Sequence, residues 1–264
     1  MDRDSRPRAD TSAVKTVAKV LDILDQLEAT GRPVTVSELA VLTGINVSTA
    51  HRLLQTLTRR HYITQSEETR AYSLGPRLLA LGSAYARRHD LVSASRPLLE
   101  RLRDTTRETV HLALLQDQDV VEICTASSHQ AVAVARSTGR RDPASCTATG
   151  KVLLAFLPPA ELDDFLNLGP LPVCTAQSLA TPEALKAELE RIRAEGYALD
   201  DRELSDDVCC IGVPVRGNAG RIVAALSIAM PRERFQKPRI ASWVSQLKET
   251  ADRISDIVAL SGST

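Results

Sequence analysis

Residues 35–65 read "TVSELAVLTGINVSTAHRLLQTLTRRHYITQ", and the parsing of this stretch decides the fold around it. Thr35 followed three residues later by Glu38 is a capping box, and Gly44 stands where a short helix of barely two turns needs a left-handed residue to end. Asn46 caps the next helix, whose buried face is expected to be Ala50, Leu53, Leu54 and Leu57. Its other face carries Ser48, Arg52, Gln55 and Arg59 at helical spacing, flanked by Thr49 and Thr56, with His51 near the edge. Short polar and cationic side chains in that array suit a helix laid in the major groove, where Arg pairs with guanine and Gln or Asn with adenine. Amphipathicity alone equally describes a solvated surface helix, so the neighbouring elements must decide.

They favour a reader of nucleic acid. Upstream, Val14, Val17, Leu21 and Leu24 recur at helical spacing from Ala13 to Glu28 until "GRP" stops the pattern. Downstream, "HYITQ" and "AYSLG" are β-like and are separated by the polar turn "SEETR". Helix, short helix, turn, helix and hairpin within about sixty residues is the order of a winged helix-turn-helix. The chain as a whole is neutral, with 33 Lys plus Arg against 33 Asp plus Glu, so any affinity for a polyanion has to be local. Between residues 51 and 88 the bases Arg52, Arg59, Arg60, Arg70, Arg77, Arg87 and Arg88 face only Glu67 and Glu68. Arg59 and Arg60 are expected on phosphates, and Arg70 is the wing residue expected to reach DNA.

At 264 residues two domains of ordinary size are expected. The opening "MDRDSRPRAD" lacks an apolar signal-peptide core, and runs such as "IVAALSIAM" are too short to span a membrane. A soluble, cytoplasmic protein is therefore expected, and its five cysteines are expected to be reduced. The assignment is a disordered arm over 1–12, a winged helix-turn-helix over 13–75, a linker helix over 76–92 and a second domain over 93–264. In that second domain helices alternate with strands: helix "RPLLERLRDTTRE", strands "VHLALLQ" and "VVEICTA", a third strand "QAVAVARS", and helices "GKVLLAFL" and "PAELDDFL". Then follow "TPEALKAELERIRAEGY", capped by Thr181 and ended by Gly196, the hairpin "CCIGVPV" and "RIVAALSIA", and an amphipathic C-terminal helix. The fold class is α+β with a largely antiparallel sheet, of the size of a small-molecule sensor.

Taken together, "AVKTVAKVLDILDQL", "TVSELAVLTGINVSTAHRLLQTLTRRHYI", "YSLGPRLLALG", "TATGKVLLAF", "ELERIRAEGYALDDRE", "CCIGVPVRG" and "IVAALSIAMPRERF" resemble the IclR family of bacterial transcriptional regulators over nearly the whole chain. The resemblance implies a winged helix-turn-helix joined by a helix to a GAF-like α/β effector-binding domain. It also implies homodimers that often pair as dimers of dimers on palindromic double-stranded operators. Carried over residue by residue, the effector pocket falls on Ala148, Thr149 and Gly150, then Asp200, Cys210, Ser227 and Ala229. Asp207 stands where a Gly is usual, and Ala229 replaces a Ser used by members that bind small oxo-acids. Both departures point from a glyoxylate- or pyruvate-like effector toward a larger or more apolar acid, such as an aromatic acid or its derivative.

Each site has a plainer reading. Thr149 and Gly150 open a helix, so their amides are placed to hold a carboxylate, or simply to be capped. Asp200 and Asp201 are a ligand contact or a solvated loop, and Ser227 lies in an apolar strand where its hydroxyl needs a partner. Cys124 and Cys174 read as small hydrophobes, and of the alternating pair Cys209 and Cys210 the family register turns Cys210 to the pocket. Cys146, Cys209, Cys210, His111 and His129 lack zinc spacing, so no metal and no cofactor are expected. A thiol enzyme or redox sensor using Cys210, with His111 as base, is the alternative to a regulator, which is expected to be a repressor and not an enzyme.

Overall fold

In a computed structural model, residues 14–88, 90–217 and 220–261 are described, and they divide after Arg88 into two units. The expected N-terminal arm lies outside the described residues. In the first unit α1 (Lys15–Thr30), α2 (Val36–Thr43) and α3 (Val47–Arg59) precede the strands β1 (Ile63–Gln65) and β2 (Tyr72–Leu74), and α4 (Pro76–Arg88) follows. The capping box forms: Thr35 N donates to Glu38 Oε2 at 2.9 Å and Thr35 Oγ1 accepts from Glu38 N at 3.4 Å. Gly44 ends α2 at φ 67°, and Asn46 Oδ1 accepts the Thr49 amide at 2.8 Å to start α3. Ile23, Leu27, Val34, Leu39, Ile45, Ala50, Leu54, Leu57, Ile63 and Tyr72 make one apolar core. Leu53, expected on the buried face of α3, is half-buried at that core's edge.

The chain leaves α3 through His61, held left-handed at φ 61°. Gly75 then passes so close to the His61 carbonyl that any Cβ there would collide with backbone, and its amide donates to Tyr62 O at 2.7 Å. Val34 bridges Tyr72, so the hairpin is fastened to the chain between α1 and α2.

The second unit opens on α5 (Asp90–Thr106), six residues earlier than the helix expected from Arg96. Pro97 lies inside it. A helix-interior proline costs about 3 kcal/mol, but burying Val92, Leu98, Leu99 and Leu102 returns roughly 1.5–3 kcal/mol each, so packing overrides propensity. After it come β3 (Thr109–Gln116), β4 (Asp119–Ala126), β5 (Arg141–Pro143), α6 (Ala148–Ala155), α7 (Pro159–Asn167), α8 (Pro182–Glu195), β6 (Ala198–Asp201), β7 (Val208–Arg216), β8 (Ile222–Pro231) and α9 (Ile240–Ser261). The strands form one antiparallel sheet in the order β5-β4-β3-β8-β7-β6. Helices α5 and α9 pack on one face; α6, backed by α8, packs on the other. Both faces are thus covered, which is why β7 and β8 read as nearly continuous apolar runs.

One expectation fails in this unit. "QAVAVARS" is not a strand: residues 130–137 run as irregular chain, and the third strand of that half is the short β5. Side chains hold the segment instead, with Thr109 Oγ1 donating to Val134 O at 3.0 Å and Arg234 to Val132 O at 2.9 Å. Of the two readings open for Asp200 and Asp201, the solvated loop falls: Ala198–Asp201 is the edge strand β6, and Asp200 on it is fully buried.

Candidate functional sites

In the first unit Asn46, Ser48, His51, Arg52, Gln55, Thr56 and Arg59 are exposed along α3, followed by Arg60, while Thr49 is half-buried. Arg52, Arg59, Arg60 and Arg70 make no ion pair with a carboxylate among the described residues, so their charge is uncommitted. The cap fixes the N-terminal end of the stripe, since Asn46 Oδ1 also accepts from Ser48 Oγ at 2.9 Å. Arg70, at φ 56°, stands exposed at the hairpin turn, where Gln65 Nε2 donates to its carbonyl at 2.9 Å. A face of this kind can lie along a groove, its arginines meeting phosphates and base edges.

In the second unit the predicted effector residues share one face of the sheet. Asp200 on β6 pairs with Cys210 on β7, which pairs with Ala229 on β8; one step along, Gly212 pairs with Ser227, and Ser227 with His111 on β3. A Cβ at Gly212 would stand 3.0 Å from the Ala148 carbonyl, so this glycine lets the first turn of α6 settle on the sheet. Ala148, Thr149 and Gly150 therefore lie above Cys210, Ser227 and Ala229, and all of them are buried. The Gly150 amide is already taken by Thr147 Oγ1 at 3.0 Å, so of the two amides singled out in the sequence it is not free for a ligand. Ser227 Oγ donates to Ile228 O at 3.2 Å.

Buried ionisable groups surround this face. Asp200 Oδ1 accepts from Glu203 N at 2.7 Å and Leu204 N at 3.4 Å, while Oδ2 has no hydrogen-bond partner among the described residues. Burial raises its carboxyl to about 6 against those bonds and the Lys151 charge. Lys151, buried on α6, pairs with Glu203 and lies 3.8 Å from Glu188. Burial also lifts the Cys210 thiol well above its ordinary value, Cys209 to about 12, and holds His111 well below the usual imidazole range. A thiol so disfavoured as thiolate is a poor nucleophile, and His111 lies on β3 with β8 between it and Cys210 on β7. Among the described residues, no three His, Cys, Asp or Glu side chains are arranged to hold a metal ion.

Sequence reasoning missed Arg136. From the segment misread as a strand it projects inward until its side chain is 4% exposed, pairing with Asp142 and lying 3.3 Å from Glu122 Oε1. Nothing in the periodicity marks it, because its burial follows from tertiary anchoring of a loop. Glu122 is 2% exposed, and burial carries it to about 7 against the pull of Arg136.

A winged helix-turn-helix with an uncommitted polar stripe, in one chain with a covered sheet bearing a cluster of buried polar groups, is the make-up of a ligand-sensing DNA-binding regulator. The chain belongs to the IclR family of transcriptional regulators: residues 16–67 match the IclR helix-turn-helix domain and residues 83–256 the bacterial transcriptional regulator IclR C-terminal domain. It is 34% identical over 246 residues to the HTH-type transcriptional regulator BhcR of Paracoccus denitrificans, covering 93% of this chain and 88% of that protein. Among solved structures, an IclR transcriptional regulator from Alicyclobacillus acidocaldarius has TM-score 0.84 at 28% identity, covering 94% of this chain and 100% of that one. An IclR homologue from Microbacterium hydrocarbonoxydans complexed with 4-hydroxybenzoate has TM-score 0.79 at 27% identity, covering 92% and 98%.

Proposed function

We propose that this regulator is a cytoplasmic, homo-oligomeric repressor that reads a palindromic operator through α3 and releases it when a small organic or aromatic acid binds the second unit. The observation that carries the reading is the α3 stripe, exposed at Ser48, Arg52, Gln55 and Arg59, its arginines without an ion pair among the described residues, beside a capped α2. Base reading is assigned to Ser48, Thr49, Arg52, Gln55 and Thr56, with His51 at the edge, and phosphate contacts to Asn46, Arg59, Arg60 and Arg70. The effector is assigned to the face of Ala148, Thr149, Gly150, Asp200, Cys210, Ser227 and Ala229. The orphaned Asp200 Oδ2 supports that assignment, because buried polar atoms without partners are rare in folded proteins. The 4-hydroxybenzoate on a relative of the same fold supports an acid. A dimer, or a pair of dimers, matches half-sites about one helical turn or a multiple apart. The ligand acts by binding unequally to two arrangements of the heads. The chain is not an enzyme in this reading, and the disfavoured Cys210 thiolate speaks against the thiol alternative.

The test is fluorescence anisotropy of the full chain on duplexes tiled across the promoter adjoining its own gene, with and without aromatic and aliphatic acids. One duplex is expected to bind at least about a hundredfold more tightly than scrambled DNA and to be released by an acid. Equal binding to every duplex contradicts operator reading, and turnover of an added compound returns the enzyme reading.

A further inference from the structure

The loop between β4 and β5 brings together features that no strand or helix of the sensor unit explains. Arg136 is almost fully enclosed, yet its Nε has no hydrogen-bond partner among the described residues. Two more buried atoms of this region, His111 Nδ1 and Asp200 Oδ2, are also without partners among the described residues. The guanidinium bears on Cys210, Asp142 and Glu122, and its charge reaches His111 and Asp200. It is therefore the cation common to the face where the ligand residues converge. The loop carrying it is fastened on both sides. Val132 O accepts from Arg234 at 2.9 Å, and Arg234 itself forks onto Glu108 at 2.6 and 2.7 Å. Gly139 N donates to Glu122 O at 2.7 Å and Glu122 N to Arg140 O at 3.0 Å. Such anchoring presets a guanidinium, the group best matched in shape to a carboxylate.

Charge bookkeeping then fixes how an anion can enter. Arg136 and Arg140 are balanced by Asp142 and Glu122; Arg140 forks onto Asp142 at 2.8 and 2.9 Å, leaving Arg136 shared between Asp142 and Glu122. Of these carboxylates Glu122 is the looser, reached at 3.3 Å by Arg136 and at 3.4 Å by Thr125 Oγ1. We propose that Arg136 is the carboxylate-binding residue of the effector site and that Glu122 is its resident counter-ion, which yields the guanidinium to the ligand by taking up one proton. The proton comes from solvent, so the count of charges on this face is the same before and after. The proposal rests on the reading of this face as the ligand site.

Glu122 sits near neutral already, at about 7, so the uptake is within reach of ordinary pH. It is faced by Arg136 and Arg140 from the loop, Asp142 from β5 and Thr125 from its own strand. His111 on β3 is held neutral, and the face also carries Asp200 on β6, Cys210 on β7 and Lys151 on α6 with its partner Glu203. On the other face of the sheet, α5 brings Arg96 and Glu100 to bear on Cys124, not on Glu122.

The test is calorimetry on the full chain with 4-hydroxybenzoate, benzoate, phenylacetate and pyruvate, each paired with its carboxamide, in two buffers of different ionisation enthalpy. At least one acid is expected to bind at least about tenfold more tightly than its amide, with net proton uptake at pH 8. Affinity is expected to fall as pH rises above about 7, by up to about tenfold per unit. Arg136→Gln is expected to lower that acid's affinity by at least about tenfold and Arg136→Lys to recover part of it. Glu122→Gln is expected to abolish proton uptake and to remove the fall in affinity above about pH 7. Should Arg136→Gln fail to fold, the Lys and Glu122→Gln variants decide. An acid that binds Arg136→Gln as tightly as the native chain, binding without proton uptake, equal binding of acid and amide, or no binding by any of the four acids overturns the proposal. If a neutral compound releases operator DNA and Asp200→Asn abolishes its binding, the site reading stands and only the Arg136 assignment falls.

Discussion

Arg52 and Arg60 are close in sequence and both exposed, yet different duties are expected of them. Arg52 lies within the α3 stripe, whereas Arg60 is the C-cap residue beyond the helix. Arg52→Ala or Gln55→Ala is expected to cost about 1–3 kcal/mol on cognate DNA and to relax specificity, while Arg60→Ala weakens all sequences alike and reduces the salt slope by about one. Mobility shifts on matched and scrambled duplexes at several salt concentrations separate these outcomes. Glu122 gives a second test. Its carboxyl moves from the ordinary 4.5 to about 7 on folding, so between those values the folded chain holds a proton that the unfolded chain has released. That contribution to stability is full below about pH 4.5 and lost as pH climbs through about 7. Urea unfolding at pH 5 and pH 8 is expected to show a smaller fall in stability for Glu122→Gln than for the native chain. Of these residues the α3 set could be read from sequence, because helical spacing puts it on one face. Arg136 could not, since the Thr109 and Arg234 side chains that anchor its loop come from distant parts of the chain.

At the scale of elements, α2 and α3 are specified by local signals: Thr35 with Glu38, Gly44 at a left-handed φ, and Asn46 as cap. Asn46→Ala is expected to lower stability by about 1 kcal/mol, seen as an earlier melting transition, and to loosen the helix end that carries Ser48. The hairpin β7–β8 was legible for another reason, since long apolar runs around "RGNAGR" leave few alternatives. The pairing of β6 escaped because two adjacent aspartates look like solvent-facing residues, and only the backbone amides of Glu203 and Leu204 make Asp200 tolerable inside. Helix α6 depends on two close approaches. A Cβ at Gly150 would strike the Ala144 backbone, and one at Gly212 would press on Ala148. Gly150→Ala is expected to destabilise the second unit more than Gly212→Ala, and hydrogen exchange of the α6 amides would register both. Equal protection in both variants and the native chain would contradict the close packing described for α6.

On the scale of the whole molecule, a chain that is neutral overall is expected to bind DNA through local charge, the arginines Arg52, Arg59, Arg60 and Arg70 that are exposed on its first unit. Family membership came through the order of motifs along the chain, which survives local errors such as the misread "QAVAVARS" strand. The chemistry of the face proposed for the effector did not, because it depends on which loop side chain is buried there. The central claim is that α3 reads a two-fold operator sequence. It is tested most directly by selecting duplexes from a random library with the native full chain and with Arg52→Ala/Gln55→Ala, then sequencing what is retained. The native chain is expected to enrich an inverted repeat with half-sites about one helical turn or a multiple apart, and the double variant to lose that preference at the contacted positions while retaining salt-sensitive binding. Enrichment of the same repeat by both proteins, or of no sequence by either, would contradict it.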